Sequence, residues 1–430
     1  MTEGCSPRHP SASDATRPQD QKELPLKITK IDCHVLADPD LDISATSSSQ
    51  DDIVIEVHTD DGYTGIGEAD INPWIARACI TAPGTHSMGQ SLSAMLVGED
   101  PLNIDALWER MYVGSAMNGR RGAVINAIGA LDIALHDLRG KILGQPVHEL
   151  LGGAVRSEIR PYASLQPHAE DFDSYKEALI AWLLAAKRRG FTAAKPSVTL
   201  SGPYAHQGLR EPWSRSTELI AALREAVGDG FTLMIDVQYA FPNADTCLAV
   251  LKEWREFNLY FVETPLPSDD LAGYHRIATS QPIPIAAGEW LTTRFEFAPL
   301  IDNGSIAVAQ PDIGRVGGLT EARRVAAMAG SKGLTVIPHL WKTGISVAAA
   351  THFAAVTPHC PYIEYLPADL SESSLRQQLL VGEPAMTDGT LGLPAGPGLG
   401  VDLDRSALQR FSAAAAELAA KRNPGQGGQQ

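Results

Sequence analysis

Six ionisable residues recur at a nearly constant interval along the second half of the chain: Asp236, Glu263, Glu289, Asp312, His339 and Glu364. The steps between them are 27, 26, 23, 27 and 25 residues, the length of one strand, one helix and two short loops. Each residue ends a short apolar run, in order FTLMID, LYFVE, IPIAAGE, IAVAQPD, LTVIPH and PYIE. A parallel strand covered on both faces reads as such a run, and closing the strands into a β/α barrel brings their C-terminal ends to one rim. The spacing therefore predicts a barrel whose rim gathers all six groups into one site.

Eight strand candidates end near Ala163, Lys195, Asp236, Glu263, Glu289, Asp312, His339 and Glu364, with helical stripes between them, for example over 322–329 and 346–355. One gap is oversized. Between Lys195 and Asp236 stands the segment SGPYAHQGLREPWSR, ahead of a helix; an insertion there lies on the catalytic face and is expected to help shape a pocket. Upstream the pattern changes. Ile53, Ile55 and Val57 alternate with Val54, Glu56 and His58 before an Asp61-Gly62 turn, which predicts half-exposed antiparallel strands. Ile125, Ile128, Leu131, Leu135, Leu138 and Ile142 then mark the stripe of an amphipathic helix. Strands followed by helices predict a separate α+β domain. The fold expected is thus α/β, a modified (β/α) TIM-type barrel with an N-terminal α+β capping domain. Its parts are a disordered head over 1–26, the capping domain over 27–153, the barrel with its metal and catalytic site over 154–369, a segment over 370–420 returning to the capping domain, and a disordered tail over 421–430.

Composition narrows the function. A chain of 430 residues is too long for one compact domain, and no apolar run is long enough to cross a bilayer. A net charge of −16 disfavours nucleic acid and anionic membranes as partners. A small anionic substrate remains compatible, provided a bound metal and a few cations reverse the field locally. The five cysteines, Cys5, Cys33, Cys79, Cys247 and Cys360, lack CxxC spacing, and the first 25 residues lack the apolar core of a signal peptide. Both features lead us to expect reduced thiols and a cytoplasmic location.

Asp236, Glu263 and Glu289 end three consecutive strands. Three carboxylates converging on one point repel unless a divalent cation sits between them. Oxygen ligation with room for water and substrate suits one Mg²⁺ per subunit, with Mn²⁺ as competitor. His339, one barrel step beyond Asp312, reads as a general base whose imidazole is oriented by a carboxylate.

The motifs MIDVQ, FVETPLP, AAGEW, QPDIGRVGGLTEA and PHLWKTGIS resemble the enolase superfamily, and within it the mandelate racemase-like group of acid-sugar enzymes. GALDIALHDLRGKILGQPVHELLGG is similar to the last helix of that family's capping domain, and GLGVDLD to its C-terminal segment; the likeness spans roughly 27–405. The resemblance implies removal of a proton α to a carboxylate, with Asp236, Glu263 and Glu289 holding the metal and His339 with Asp312 as the base. It further implies that Glu364, protonated and with a raised pKa, donates a hydrogen bond to the substrate carboxylate. Many members carry Lys-x-Lys on the second strand, the second lysine serving as a base on the opposite face. Here the segment is Lys195-Pro196-Ser197. Two-base racemisation is therefore disfavoured, whereas loss of a β-hydroxyl needs one face only; the Lys-Pro pattern with its long following loop loosely resembles the rhamnonate dehydratase branch. Lys195 is then expected to lend positive charge to the substrate carboxylate. Gln238, Trp290 and His206 are candidate substrate contacts, while Arg315, Lys342 and Trp341 could face the pocket or serve structure.

These residues together read as a Mg²⁺-dependent dehydratase converting a sugar acid to a 2-keto-3-deoxy acid. The rivals are a cycloisomerase of the same superfamily and a non-catalytic metal-binding relative. The expected partners are a small-molecule sugar acid and further copies of the chain, with neither nucleic acid nor membrane.

Overall fold

The computed structural model describes Met1 and residues 26–205, 209–371, 373–383 and 386–422. The head expected over 1–26 and the tail expected over 421–430 lie almost wholly outside the described residues. Three strands, β1 (Ile28–Ala37), β2 (Asp51–Thr59) and β3 (Thr64–Ala69), form an antiparallel meander. Ile53 pairs with both Val35 and Ala69, and the Asp61-Gly62 pair turns β2 into β3. Helix α1 (Ala123–Leu143) lies across this sheet. Its approach is close because β3 carries Gly65 and Gly67: a Cβ there would run into the carbonyl oxygens of Ala134 and Ala130 on the helix.

The stripe expected on α1 is buried except for the half-buried Ile142, and so is most of the opposite side. The helix is sandwiched between the meander and the barrel, so its polar residues tie it to both sides. Asp137 accepts the N–H groups of Ile66 (2.8 Å) and Leu399 (2.8 Å). Asp132 accepts from the Thr320 N–H (3.0 Å), and Asn126 donates to the Arg315 carbonyl (2.7 Å). An amphipathic stripe reports one buried face; the second partner supplied the other.

Eight strands make the parallel barrel sheet: β4 (Pro161–Leu165), β5 (Ala193–Pro196), β6 (Thr232–Asp236), β7 (Leu259–Glu263), β8 (Ile285–Ala287), β9 (Val308–Ala309), β10 (Thr335–Val336) and β11 (Ile363–Tyr365). They are ordered β10-β9-β8-β7-β6-β5-β4-β11, every ladder parallel. The seam between β10 and β11 is spanned by the Val336 N–H to the His359 carbonyl (3.1 Å) and by Glu364, which accepts the Leu340 N–H (2.9 Å). Tyr162, Ala193, Met234, Phe261, Ala286, Val308 and Ile337 fill the interior as a separate apolar cluster. The larger core lies between the strands and the outer helices, among them α2 (Trp213–Val227), α3 (Gly318–Ser331) and α4 (Gly344–Val356).

Several boundaries differ from the sequence expectation. β8, β9 and β10 stop at Ala287, Ala309 and Val336, so Glu289, Asp312 and His339 stand two or three residues beyond their ladders. Gly288 (φ +119°) and Pro311 and Pro338, which lack an N–H, interrupt the pairing there. Helix α2 starts at Trp213, absorbing the end of the supposed insert. After the barrel, Leu380–Val381 pairs with Asp402–Leu403, and helix α5 (Arg405–Arg422) packs against β1, with Ala415 in the capping-domain core. Cys33, Cys79, Cys247 and Cys360 are free thiols, and among the described residues no helix is long and apolar enough to cross a membrane.

Candidate active site

A pocket of ≈ 130 Å³ opens at the C-terminal rim of the barrel strands. Lys195, Asp236, Glu289, His339 and Glu364 all line it, each from a different strand or the loop just beyond it. Glu263 and Asp312 stand immediately behind, fully buried or nearly so.

His339 is held at both ring nitrogens. Nδ1 is 2.7 Å from Asp312 Oδ2, and Nε2 is 3.0 Å from Glu289 Oε2. Asp312 cannot swing away, because its Oδ1 accepts the Arg315 N–H (3.0 Å) and so caps the short helix that follows. Burial alone would lower the pKa of His339. The charges of Glu364 and Glu289 and the hydrogen bond to Asp312 outweigh it and push the imidazole up to about 9.

Glu263, Glu289 and His339 each offer a ligand atom within 4.8 Å of the others. Asp236 sits at the edge of this cluster, its Oδ2 4.0 Å from Lys195 Nζ and its Oδ1 accepting the Gln238 N–H (2.9 Å). Burial, and then the neighbouring carboxylates, push Asp236 and Glu263 upward, and the Lys195 ammonium offsets only part of that. Hard oxygen donors lacking sufficient positive charge are what a divalent cation satisfies. The donor set fits such an ion.

One expectation needs correction. Glu364 was expected to be protonated and to donate. It is instead an acceptor three times over: from Lys195 Nζ (2.8 Å), Ser164 Oγ (2.6 Å) and the Leu340 N–H (2.9 Å). Burial favours its neutral form, but Lys195, His339 and these donors overturn that and hold its pKa below the ordinary value. Lys195, expected to lend positive charge to the substrate carboxylate, lines the pocket and already has carboxylates beside it. Its ammonium lies 2.6 Å from Glu263 Oε1 and 2.8 Å from Glu364 Oε1, over the Tyr162 ring, and is 2% exposed. It balances the carboxylates, a role that a reading of one strand at a time misses.

The remaining candidates divide. Gln238 and Trp290 line the pocket; Gln238 accepts from Thr199 Oγ1 (3.0 Å), and Trp290 stacks on Tyr239 with ring centroids 4.3 Å apart. His206 lies outside the described residues. Trp341 lines the pocket with its Nε1–H on Ser47 Oγ (2.9 Å). Lys342 is structural: it binds Asp51 Oδ1 (2.9 Å) and the Asp51 carbonyl (2.6 Å), pinning the capping loop. Arg315 faces the pocket, yet its guanidinium is bound to the Asp70 carboxylate. Sequence reasoning missed Gln310, which donates to Glu263, and Ser164. The signal for Gln310 was its place two residues before Asp312; Ser164 carries no signal beyond its strand.

The sequence matches the mandelate racemase / muconate lactonizing enzyme N-terminal domain over residues 30–152 and the enolase C-terminal domain-like family over 179–407. It is 30% identical over 397 residues to the D-galactarolactone cycloisomerase of Agrobacterium fabrum, covering 90% of this chain and 99% of that one. The chain belongs to the mandelate racemase-like group of the enolase superfamily. Another relative in this group, the L-rhamnonate dehydratase of Saccharopolyspora erythraea, is 30% identical over 358 residues, covering 82% of this chain and 83% of its own. A solved structure, a racemase from Streptomyces coelicolor A3(2) with bound magnesium, superposes with a TM-score of 0.75 at 27% identity, over 89% of this chain and 99% of that one. Members of the enolase superfamily bind a divalent metal, and the cluster around Glu263, Glu289 and His339 is where this member has the groups to do so. Just beyond β5 of this mandelate racemase-like chain, Ser197 Oγ lies 3.1 Å from Thr199 Oγ1. Lys195 is the strand's ammonium group, and carboxylates enclose it.

Proposed function

We propose that the chain is a Mg²⁺-dependent hydro-lyase that removes water from a sugar acid to give a 2-keto-3-deoxy acid. One observation carries the reading: among the described residues, a single His339–Asp312 base faces the acidic cluster, while the second strand is followed by Ser197 where a second base would stand. Asp236, Glu263 and Glu289 would hold the cation, which supplies Lewis-acid stabilisation of the negative charge that develops as the α-proton leaves. Asp312 accepts from Nδ1–H of His339, and Nε2, which faces Glu289 at 3.0 Å, is the nitrogen that would take the α-proton once a cation held by Glu289 has offset that carboxylate's charge. The C–H electron pair moves into the carboxylate and returns to expel the β-hydroxyl. His339, now protonated at Nε2, returns that proton to the departing hydroxyl on the same face, and water leaves. The enol that remains tautomerises to the ketone. Lys195 keeps Glu263 and Glu364 from repelling the anion as charge builds. Tyr204 and Trp290 close one wall and limit water at the reacting carbons.

The test is exchange of the α-proton for solvent deuterium together with 2-keto acid formation across a library of sugar acids. His339→Asn should lose both. Exchange that persists in His339→Asn and vanishes only in Lys195→Ala would move the base to β5 and overturn the facial assignment. Similarity to the cycloisomerase over nearly its whole length favours one second reading, in which the same base works and a ring oxygen is the leaving group. Product mass separates the two by the loss of water. We further infer a homo-oligomeric enzyme of the cytoplasm, which sedimentation and cell fractionation test.

A further inference from the structure

The walls of the pocket differ in charge from one end to the other. The lysine and the arginine that line it are both engaged: Lys195 by Glu263 and Glu364, Arg315 by Asp70. Among the described residues, the polar groups on the rest of the wall, away from the acidic cluster, are Thr46, Ser48, Gln166, Tyr204 and Gln238, all neutral hydroxyls and amides. Gln166 and Trp341 also line an adjoining cavity of ≈ 460 Å³, which contains Asp38, Asp40 and Asp42. Asp38 Oδ2 accepts from Ser374 Oγ (2.5 Å), and Asp42 Oδ1 accepts from the N–H (2.8 Å) and Oγ (2.6 Å) of Ser44. These donors are all neutral groups. His168 lines the same cavity.

Given that the pocket takes a sugar acid, as proposed above, we propose that the substrate is a monocarboxylate of the aldonic type and that the geometry rejects aldaric diacids. The carboxylate lies at the Lys195 end, and the uncharged polyol tail runs toward Gln166 and Trp341. A second carboxylate on that tail would exchange part of its hydration for neutral partners and face three more carboxylates beyond them, of which Asp40 and Asp42 are exposed and Asp38 half-buried. A charge without a cationic partner in such a place costs more than a hydroxyl that finds amide and hydroxyl partners. A diacid closed into its lactone presents one carboxylate and obeys the same rule.

The test uses the full-length Mg²⁺-loaded protein and a panel of five- and six-carbon aldonates, each paired with the aldarate of the same configuration. Calorimetry gives binding, and a 2-keto acid assay gives turnover. Whichever aldonates bind, their aldarates should bind at least tenfold more weakly, and Gln166→Arg should narrow that gap about tenfold. An aldarate binding as tightly as its aldonate, or no aldonate binding at all, overturns the proposal. An unchanged gap in a folded Gln166→Arg variant overturns the placement of the tail. Aldonates that bind in preference without turnover support the charge rule and sink the dehydratase reading. Aldarates that bind better and are dehydrated do the reverse.

Discussion

Replacing Asp312 by Asn tests the base without dismantling the fold. Asp312 serves two neighbours at once: Oδ1 accepts the Arg315 N–H at 3.0 Å, and Oδ2 faces His339 Nδ1 at 2.7 Å. Asparagine is nearly isosteric, but only its oxygen can accept the Arg315 N–H. Its NH₂ must then point at Nδ1 and turn that nitrogen into an acceptor. The neutral ring would carry its proton on Nε2, the atom that has to be bare to take the α-proton. A wrong-tautomer substitution of this kind in a Ser-His-Asp enzyme lowers kcat about 10⁴-fold, and about 10³- to 10⁴-fold is expected here, roughly 4–5.5 kcal/mol of barrier. The cap survives, so the Tm should fall by no more than a few degrees. Asp312→Ala, which removes the cap as well, should cost about 1 kcal/mol of stability in addition. Solvent-deuterium exchange at the α-carbon reads the proton step directly. Exchange in folded Asp312→Asn within tenfold of the parent would refute the argument, because the tautomer would then not matter.

Metal removal by chelation should stop exchange, Mg²⁺ should restore it, and Glu263→Gln should weaken Mg²⁺ binding in a calorimetric titration by at least tenfold; exchange in metal-free protein would count against the mechanism. Gly67→Ala should cost about 2 kcal/mol or more in urea denaturation, because a Cβ there meets helix backbone, including Ala134 N at 2.7 Å, that cannot move without the domain. His352 is buried with its pKa lowered to about 3, mainly by burial, its Nε2–H on the Leu399 carbonyl (3.2 Å) and its Nδ1 accepting the His148 N–H (3.1 Å). The unfolded chain therefore takes up this proton first, so the stability is fully present at pH 7 and is lost as pH falls from about 6.5 toward 3, by about 2 kcal/mol at pH 5. His352→Gln should flatten the acid limb of the Tm–pH curve, and an unchanged limb would reject the linkage. Substitutions at Thr46 or Ser48, which reach the pocket from the capping loop, should change substrate preference by about tenfold while leaving Mg²⁺ affinity within twofold.

The sequence by itself determined the barrel, the order of its strands and the residues at its rim. A strand buried on both faces writes a continuous apolar run, and a strand–helix unit has a nearly fixed length, so Asp236, Glu263, Glu289, Asp312, His339 and Glu364 could be placed by counting. The His339–Asp312 pair was legible for the same reason, since neighbouring strands put their ends within reach of each other. Ionisation was not legible. Whether Glu364 donates or accepts depends on Lys195, Ser164 and the Leu340 N–H, which come from two other strands and the loop beyond a third. Nor could the sequence show that Arg315 is taken by Asp70 of the capping domain, or that α1 would be covered on both sides. Local pattern records how each element meets water or a core. Charge state and the choice of ion partner are sums over everything within a few ångströms, and only the closed tertiary structure decides which groups those are.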